Sequence, residues 1–156
     1  MNHRLAALAI GVAGLTALTT APAAAMPSAV IPPGATTETV TSCGNSALQA
    51  GLTTRLCADV TGDVVEFYGR VSLAGPPSSG SPAPAPKELF TTLSAAVADG
   101  TSPETLDRRV VFTSTTIEVR GLVTTAACGA TVRGAFGVAS FPWAARPVAH
   151  EVTISC

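Results

Sequence analysis

Alternation of apolar and polar residues predicts β-strands along most of the last two thirds of the chain. From Leu52 to Val60 the apolar residues fall on one side of a period-two pattern, which is typical of a half-buried strand. A short turn at Thr61-Gly62 then predicts a hairpin in which Leu56 lies opposite Phe67. A slip of one residue would turn these side chains to opposite faces, so their apolar pairing supports the register.

Three alternating segments near the C-terminus predict a meander with a shared apolar face. The segment 117–123 is expected to pair with 132–138, and the overlapping segment 130–136 in turn with 148–154. In this register, Val119 lies opposite Phe136 and Phe136 lies opposite Val148. The apolar residues of all three strands then face the same side.

The segments between these two blocks are less regular. Residues 88–99 fit a helix or a strand, and the Thr-rich context favours a strand. The dipeptide Asp99-Gly100 is a turn signal, and residues 102–104 (Ser-Pro-Glu) fit the cap of one helical turn before a strand at 110–115. Residues 75–87 contain five prolines, which predict a surface loop.

About seven short alternating segments favour an all-β fold, a single-domain antiparallel β-sandwich that is immunoglobulin-like in architecture. The residues before the proline-rich loop are too few to form a core alone, so we expect one domain over residues 42–156. Residues 26–41, which begin with several prolines, are expected to form a flexible tail.

The N-terminus has the three-part layout of a secretory signal peptide over residues 1–25. Arg4 is followed by 14 uncharged, mostly apolar residues and then by the small residues 23–25. The apolar stretch is shorter than the roughly 20 residues that span a bilayer. Cleavage after Ala25, or alternatively after Ala23, would release the remainder outside the cell.

Four cysteines suit that destination, because export places them in an oxidising compartment. Cys43 and Cys57 lie at equal distances from Ala50, and Cys128 and Cys156 lie at equal distances from residue 142. Hairpins that turn at these midpoints would bring each pair together, so we expect two sequential disulfides. Short ligand spacings of a zinc site are absent from the sequence after residue 25.

Charge and motifs argue against several classes of function. The formal net charge is -1, only 12% of residues are charged, and no basic run is present, so we expect no nucleic acid partner and no integral membrane association. Asp99, Glu104 and Asp107 match no calcium loop, and no cofactor motif occurs. We expect neither a metal nor a cofactor.

The sequence does not favour an enzyme. It contains no G-x-S-x-G motif, and His150 is the only histidine after residue 25. The predicted register places His150 beside Gly134 as a packed core residue, with Glu151 on the opposite face of the strand. Asp59, Asp63 and Glu66 cluster at the first hairpin turn, where they resemble ordinary surface residues.

The turn at residues 141–147 is the best candidate binding loop. It contains Phe141, Trp143 and Arg146, and Trp and Arg are frequent anchors of binding interfaces. Two prolines in the loop would limit the entropy lost on binding. The alternative is that Trp143 folds over one end of the sandwich with Phe141 beneath it.

Two functions follow from these features. The first is a secreted, non-catalytic β-sandwich that binds an extracellular protein or a cell-wall component. The second is a small proteinaceous inhibitor of an extracellular hydrolase. In cysteine order and strand type the chain resembles the tendamistat family of secreted α-amylase inhibitors, which have two sequential disulfides in a β-sandwich. It lacks that family's Trp-Arg-Tyr triplet and is longer between Cys57 and Cys128, so no site residues are carried over.

Overall fold

The computed structural model describes residues 38–76, 80, 82, 84–98 and 102–155. These residues form nine β-strands and no helix. The strands are β1 (Thr39–Cys43), β2 (Ala47–Gln49), β3 (Leu52–Thr61), β4 (Val64–Leu73), β5 (Lys87–Val97), β6 (Glu104–Phe112), β7 (Thr116–Thr125), β8 (Thr131–Ala139) and β9 (Val148–Thr153). Two antiparallel sheets enclose one core, which confirms the predicted all-β sandwich.

The first sheet has the order β1-β3-β4-β7, with β2 also paired to β3. The second sheet has the order β6-β5-β8-β9. The chain therefore passes between the sheets three times, after β4, after β6 and after β7. Strands that are consecutive in the chain and paired with each other form the hairpins β2–β3, β3–β4, β5–β6 and β8–β9.

Several predictions concern residues outside the described ones. They include the signal peptide at 1–25, most of the tail at 26–41 and the turn at Asp99-Gly100. The last residues of the predicted tail, Thr39–Thr41, belong to β1 and pair with β3. Among the described residues, no helix has the length and apolar character needed to cross a membrane.

The β3–β4 hairpin has the predicted strands in a register shifted by two residues. Ala58 lies opposite Phe67, and Leu56 lies opposite Gly69 rather than Phe67. The shift arises because the turn is Gly62-Asp63, one residue later than predicted. Gly62 has a φ of 62°, a conformation that glycine adopts readily at the first central position of a two-residue turn. A shift by two leaves every side chain on its predicted face.

The predicted C-terminal meander is right for two strands and wrong for the third. β8 and β9 pair as predicted, with Phe136 opposite Val148. The segment 117–123 lies in β7, which pairs with β4 of the first sheet instead of with β8. The connection after β7 crosses between the sheets, and there the Ala126 amide donates to the Asp63 carbonyl at 3.0 Å.

The sequence of residues 88–99 fits either a helix or a strand, and the favoured strand is confirmed as β5. The helical turn at residues 102–104 is wrong, because residues 102–103 are irregular and Glu104 begins β6. In the predicted loop 75–87, the described residues before Lys87 are outside the strands, and Lys87 is the first residue of β5.

The first predicted disulfide is confirmed. Cys43 and Cys57 are bonded, with their Cα atoms 4.0 Å apart, and they are direct partners in the β1–β3 ladder. Cys128 also takes part in a disulfide. Its predicted partner, Cys156, lies outside the described residues.

The core is built on a reciprocal packing of two phenylalanines on two glycines. Phe67 of β4 lies on Gly134 of β8, where an added Cβ would approach the ring to 2.7 Å. Phe136 of β8 lies on Gly69 of β4, where an added Cβ would overlap the ring. Both rings are fully buried, so each sheet provides a phenylalanine and the space for the other sheet's phenylalanine.

Replacement of Gly69 by alanine tests this packing. We expect Gly69→Ala to lower the free energy of unfolding by roughly 1–3 kcal/mol, because the new methyl group forces the buried Phe136 ring to move. Urea unfolding measures the change. Gly75→Ala is the control, since an added Cβ there meets no atom within 4 Å. Equal unfolding free energies for the two variants would contradict the packing.

Candidate functional site

The candidate binding loop connects β8 to β9 and begins with a tight turn. The Trp143 amide donates to the Ser140 carbonyl at 2.6 Å, and the Ser140 amide donates to the Trp143 carbonyl at 3.0 Å. The Phe141-Pro142 peptide bond between them is cis. We refer to residues 140–147 as the aromatic loop.

The two aromatic side chains of this loop are directed to solvent. Phe141 is 95% exposed and Trp143 is 63% exposed, and Arg146 is exposed as well. Trp143 therefore does not cover the end of the sandwich, and Phe141 does not lie in the core beneath it. The structure presents all three predicted binding residues on one surface segment.

A buried glutamine holds the base of the aromatic loop. Gln49, at the end of β2, is only 2% exposed. Its Oε1 atom accepts hydrogen bonds from the amides of Val138 at 2.9 Å and Arg146 at 3.0 Å. Its Nε2 atom donates to Thr54 Oγ1 at 2.7 Å and to the Phe136 carbonyl at 3.2 Å. All four hydrogen-bonding positions of the amide are used.

Two further contacts fix the loop against the second sheet. Ser140 Oγ donates to the Glu88 carbonyl of β5 at 2.8 Å. Ala145 and Pro147 pack over Gly137 of β8, where an added Cβ would lie 3.2 Å from Ala145 Cβ. The loop is thus held at its beginning, at Arg146 and along its return to β9.

A third exposed aromatic residue lies on the second sheet near this loop. Phe90 is 50% exposed. Its partner in the β5–β8 ladder is Ala139, and Ala139 precedes Phe141 by two residues. The Arg109 guanidinium is 6.0 Å from the centroid of its ring. Phe90 was not among the binding residues predicted from the sequence, although an aromatic residue on the polar side of an alternating segment is a signal for an exposed ring.

His150 forms a pair with a serine that is distant in the sequence. Ser42 Oγ lies 2.9 Å from His150 Nε2, in a groove between β1 and β9. Burial lowers the pKa of His150, and the Glu151 carboxylate offsets part of this effect. His150 is opposite Gly134 as predicted, but it is half-buried rather than a core residue, because Phe67 occupies the space over Gly134.

The Ser42–His150 pair has only part of the geometry that nucleophilic catalysis uses. A serine and a neutral imidazole are within hydrogen-bonding distance. Among the described residues, no hydrogen bond is made to His150 Nδ1, the atom that an orienting carboxylate would bind. Glu151 instead pairs with Arg133 on the other face of β9.

The carboxylates of the first hairpin are joined by one arginine. Asp59 and Glu66 lie directly opposite each other in the β3–β4 ladder. Arg120 of β7 contacts Asp59 at 3.0 Å, Glu66 at 3.3 Å and Glu118 at 2.9 Å. Its guanidinium also lies 3.7 Å from the centroid of the Tyr68 ring. This set, which we call the Arg120 cluster, places one cation among three carboxylates and so weakens the repulsion between them.

The hydrogen bonds of this cluster determine the protonation of Asp59. Partial burial acts to raise the pKa of Asp59, but hydrogen bonds from Thr41 and Arg120 outweigh it and hold the pKa below its ordinary value. A carboxylate with a lowered pKa is a poor general acid at neutral pH. The lowered pKa also means that the folded protein favours the ionised carboxylate, so the cluster stabilises the first sheet.

Metal ligands and known relatives give no further guidance. The described residues include no group of three or more histidine, cysteine, aspartate or glutamate side chains that could hold a metal ion. Comparison of the chain with protein families, with curated proteins and with solved structures found no match.

The Gln49 anchor can be tested by substitution. We expect Gln49→Leu to lower the free energy of unfolding by about 1–3 kcal/mol, because it leaves buried backbone groups without partners. Hydrogen exchange at the Arg146 amide should also become faster. Asn45→Leu, which also replaces a side-chain amide by leucine but at an exposed residue, is the control. Unchanged exchange at Arg146 in the Gln49 variant would show that the loop is held by other contacts.

The Arg120 cluster predicts a dependence of stability on pH. Because the folded-state pKa of Asp59 is lowered, its contribution is complete above its unfolded pKa of about 3.9 and is lost as the pH falls through the lower folded value. We expect Arg120→Met to cost about 1 kcal/mol at neutral pH, measured by urea unfolding, and less at about pH 2.5.

The exposed pair Arg109–Glu88 supplies the control for this prediction. Arg109→Met removes one arginine from a single surface pair, so its effect should be a few tenths of a kcal/mol. A loss of stability for Arg120→Met that is equal at the two pH values would contradict the assignment to ionised carboxylates.

Proposed function

We propose that this protein is a secreted, non-catalytic β-sandwich that binds a protein or cell-envelope partner through the aromatic loop. The observation that carries the proposal is the exposure of Phe141 and Trp143 on a loop whose base is fixed by Gln49. Large aromatic side chains usually bury most of their surface in the core. Here two of them remain in water, where only association with another molecule would cover them.

The fixed base of the loop favours binding for an energetic reason. A loop that is already ordered loses less conformational entropy when a partner binds. The Arg146 backbone is held by Gln49 while its side chain is exposed, so the same loop presents a cation as well as the aromatic residues. Tryptophan and arginine together are the side chains most often found at the energetic centre of an interface.

The assignment to the extracellular space is supported by two features. The Cys43–Cys57 disulfide is of a kind that persists mainly in oxidising compartments. The sequence of residues 1–25 also has the layout of a signal peptide.

The non-catalytic assignment is supported by the state of the candidate catalytic groups. Arg120 bridges Asp59 and Glu66. Ser42 and His150 are paired without an orienting carboxylate among the described residues.

An inhibitor of an extracellular hydrolase is the second candidate. The feature that favours it is the protrusion of the loop, since Phe141 is almost fully exposed on a segment fixed on both sides. Inhibitors of hydrolases commonly present such pre-organised segments to the enzyme's cleft. In this case the partner is an enzyme, and the complex should be inactive.

Affinity capture with matched variants tests the proposal. Residues 26–156 in oxidised form would be immobilised and exposed to the culture fluid and wall fraction of the source organism. We expect Trp143→Ala to weaken retention of the bound component at least tenfold, about 1.4 kcal/mol or more, without a change in thermal unfolding. Val123→Ala is the control, because Val123 is 51% exposed on β7 of the first sheet, whereas the aromatic loop extends from the second sheet.

The outcomes separate the two candidates. Retention of wall material or of a non-enzymatic protein supports the first, and stoichiometric retention of one hydrolase whose activity is lost in the complex supports the second. If Trp143→Ala and Val123→Ala retain the same components as the original chain with equal affinity, the aromatic loop is not the binding site.

A further inference from the structure

Two arginines face the same side of the first sheet in adjacent strands. Arg55 of β3 and Arg70 of β4 are direct partners in the antiparallel ladder. Directly opposite residues have Cβ atoms about 4.5–5.5 Å apart, and like charges in this arrangement destabilise a sheet. The pair therefore needs a compensating negative charge, or it costs stability.

The carboxylates of this face do not provide full compensation. Arg70 Nε is 3.4 Å from Glu118 Oε1, but the other oxygen of Glu118 binds Arg120 at 2.9 Å. Arg55 forms no salt bridge with any described residue, and its Nε atom donates to Ser46 Oγ at 2.9 Å. Glu118 is thus shared by Arg70 and Arg120, and the other two carboxylates nearby, Asp59 and Glu66, pair with Arg120 and not with Arg55 or Arg70.

Hydroxyl groups surround the two guanidinium groups. Arg55 and Arg70 line an open groove together with four residues that carry hydroxyl groups, Ser46, Thr53, Ser72 and Thr116. Thr53 and Ser72 are also direct partners in the ladder. They lie two residues from the arginines along each strand, and therefore on the same face of the sheet. The groove contains cationic and neutral donors and no acidic side chain.

We propose that this groove, the Arg55–Arg70 site, binds the oxyanion of a phosphate or sulfate group. Each guanidinium presents a planar fork of N–H donors that fits two oxygens of such a group, and a tetrahedral anion has oxygens for both forks. The hydroxyls supply further donors at the rim. The bound anion would also remove the repulsion between the two arginines.

The site is separate from the aromatic loop and does not rest on the proposed function. Arg55 and Arg70 lie in strands of the first sheet, whereas the loop extends from β8 and β9 of the second sheet. Loss of partner binding in Trp143→Ala therefore leaves the anion site unaffected. Loss of anion binding in Arg55→Gln in the same way leaves the loop proposal standing.

Titration with inorganic phosphate tests the site. Two-dimensional NMR spectra of residues 26–156 would be recorded as phosphate replaces chloride at constant ionic strength. We expect saturable shifts centred on the amides of Thr53, Arg55, Arg70 and Ser72. Arg55→Gln should weaken binding at least tenfold. Arg133→Gln is the matched control, because Arg133 is an exposed arginine that is paired with Glu151 on the second sheet.

Stability supplies a second readout that does not depend on the spectra. In chloride, we expect Arg55→Gln to be at least as stable as the original chain, because the like-charge contact is relieved. Phosphate should raise the melting temperature of the original chain and of Arg133→Gln, but not that of Arg55→Gln. Shifts that never saturate, or equal stabilisation of all three proteins by phosphate, would overturn the proposal.

The same titration distinguishes a free anion from an ester group. Inorganic phosphate, inorganic sulfate and glycerol phosphate would be compared at constant ionic strength. Tighter binding of glycerol phosphate, with additional shifts at Ser46 or Thr116 on the rim, would identify an esterified group as the ligand. Equal or weaker binding of the ester would identify the free anion.

Discussion

Two phenylalanines and two glycines on the central strands β4 and β8 determine how the two sheets face each other. Phe67 occupies the space over Gly134, and Phe136 occupies the space over Gly69. The pairs are reciprocal, so neither sheet can slide without moving a buried ring into backbone. The same packing brings the Phe136 carbonyl and the Val138 amide to Gln49. The position of the aromatic loop therefore depends on the core.

This core is complete without the single tryptophan of the chain. The largest fully buried side chains are Phe67, Phe112 and Phe136, and they fill the space between the sheets. Trp143 is left on a loop that Gln49 and Ser140 hold in place. On the first sheet, Arg120 pairs with the carboxylates near the hairpin, and Arg55 has no carboxylate partner among the described residues. Each proposed surface therefore contains a group that the fold does not use, the exposed Trp143 side chain on one and the Arg55 guanidinium on the other.

Local alternation predicted which face most strands bury, but not which strands are neighbours. β8 and β9 share an apolar face and a short connection, so the sequence was sufficient for their register. β7 alternates equally well, and only packing across the sandwich places it beside β4. The exposure of Trp143, the role of Gln49 and the pairing of Ser42 with His150 depend on residues about 90 or more positions away, which no local pattern contains.

The central claim is that the interlocked phenylalanines complete the core and leave Trp143 in solvent. Trp143 is the only tryptophan, so quenching of its fluorescence by acrylamide reports on this one side chain. The account predicts that the folded protein is quenched nearly as efficiently as the chain unfolded in urea. A folded state that protects Trp143 from acrylamide, with quenching that rises only on unfolding, would contradict it.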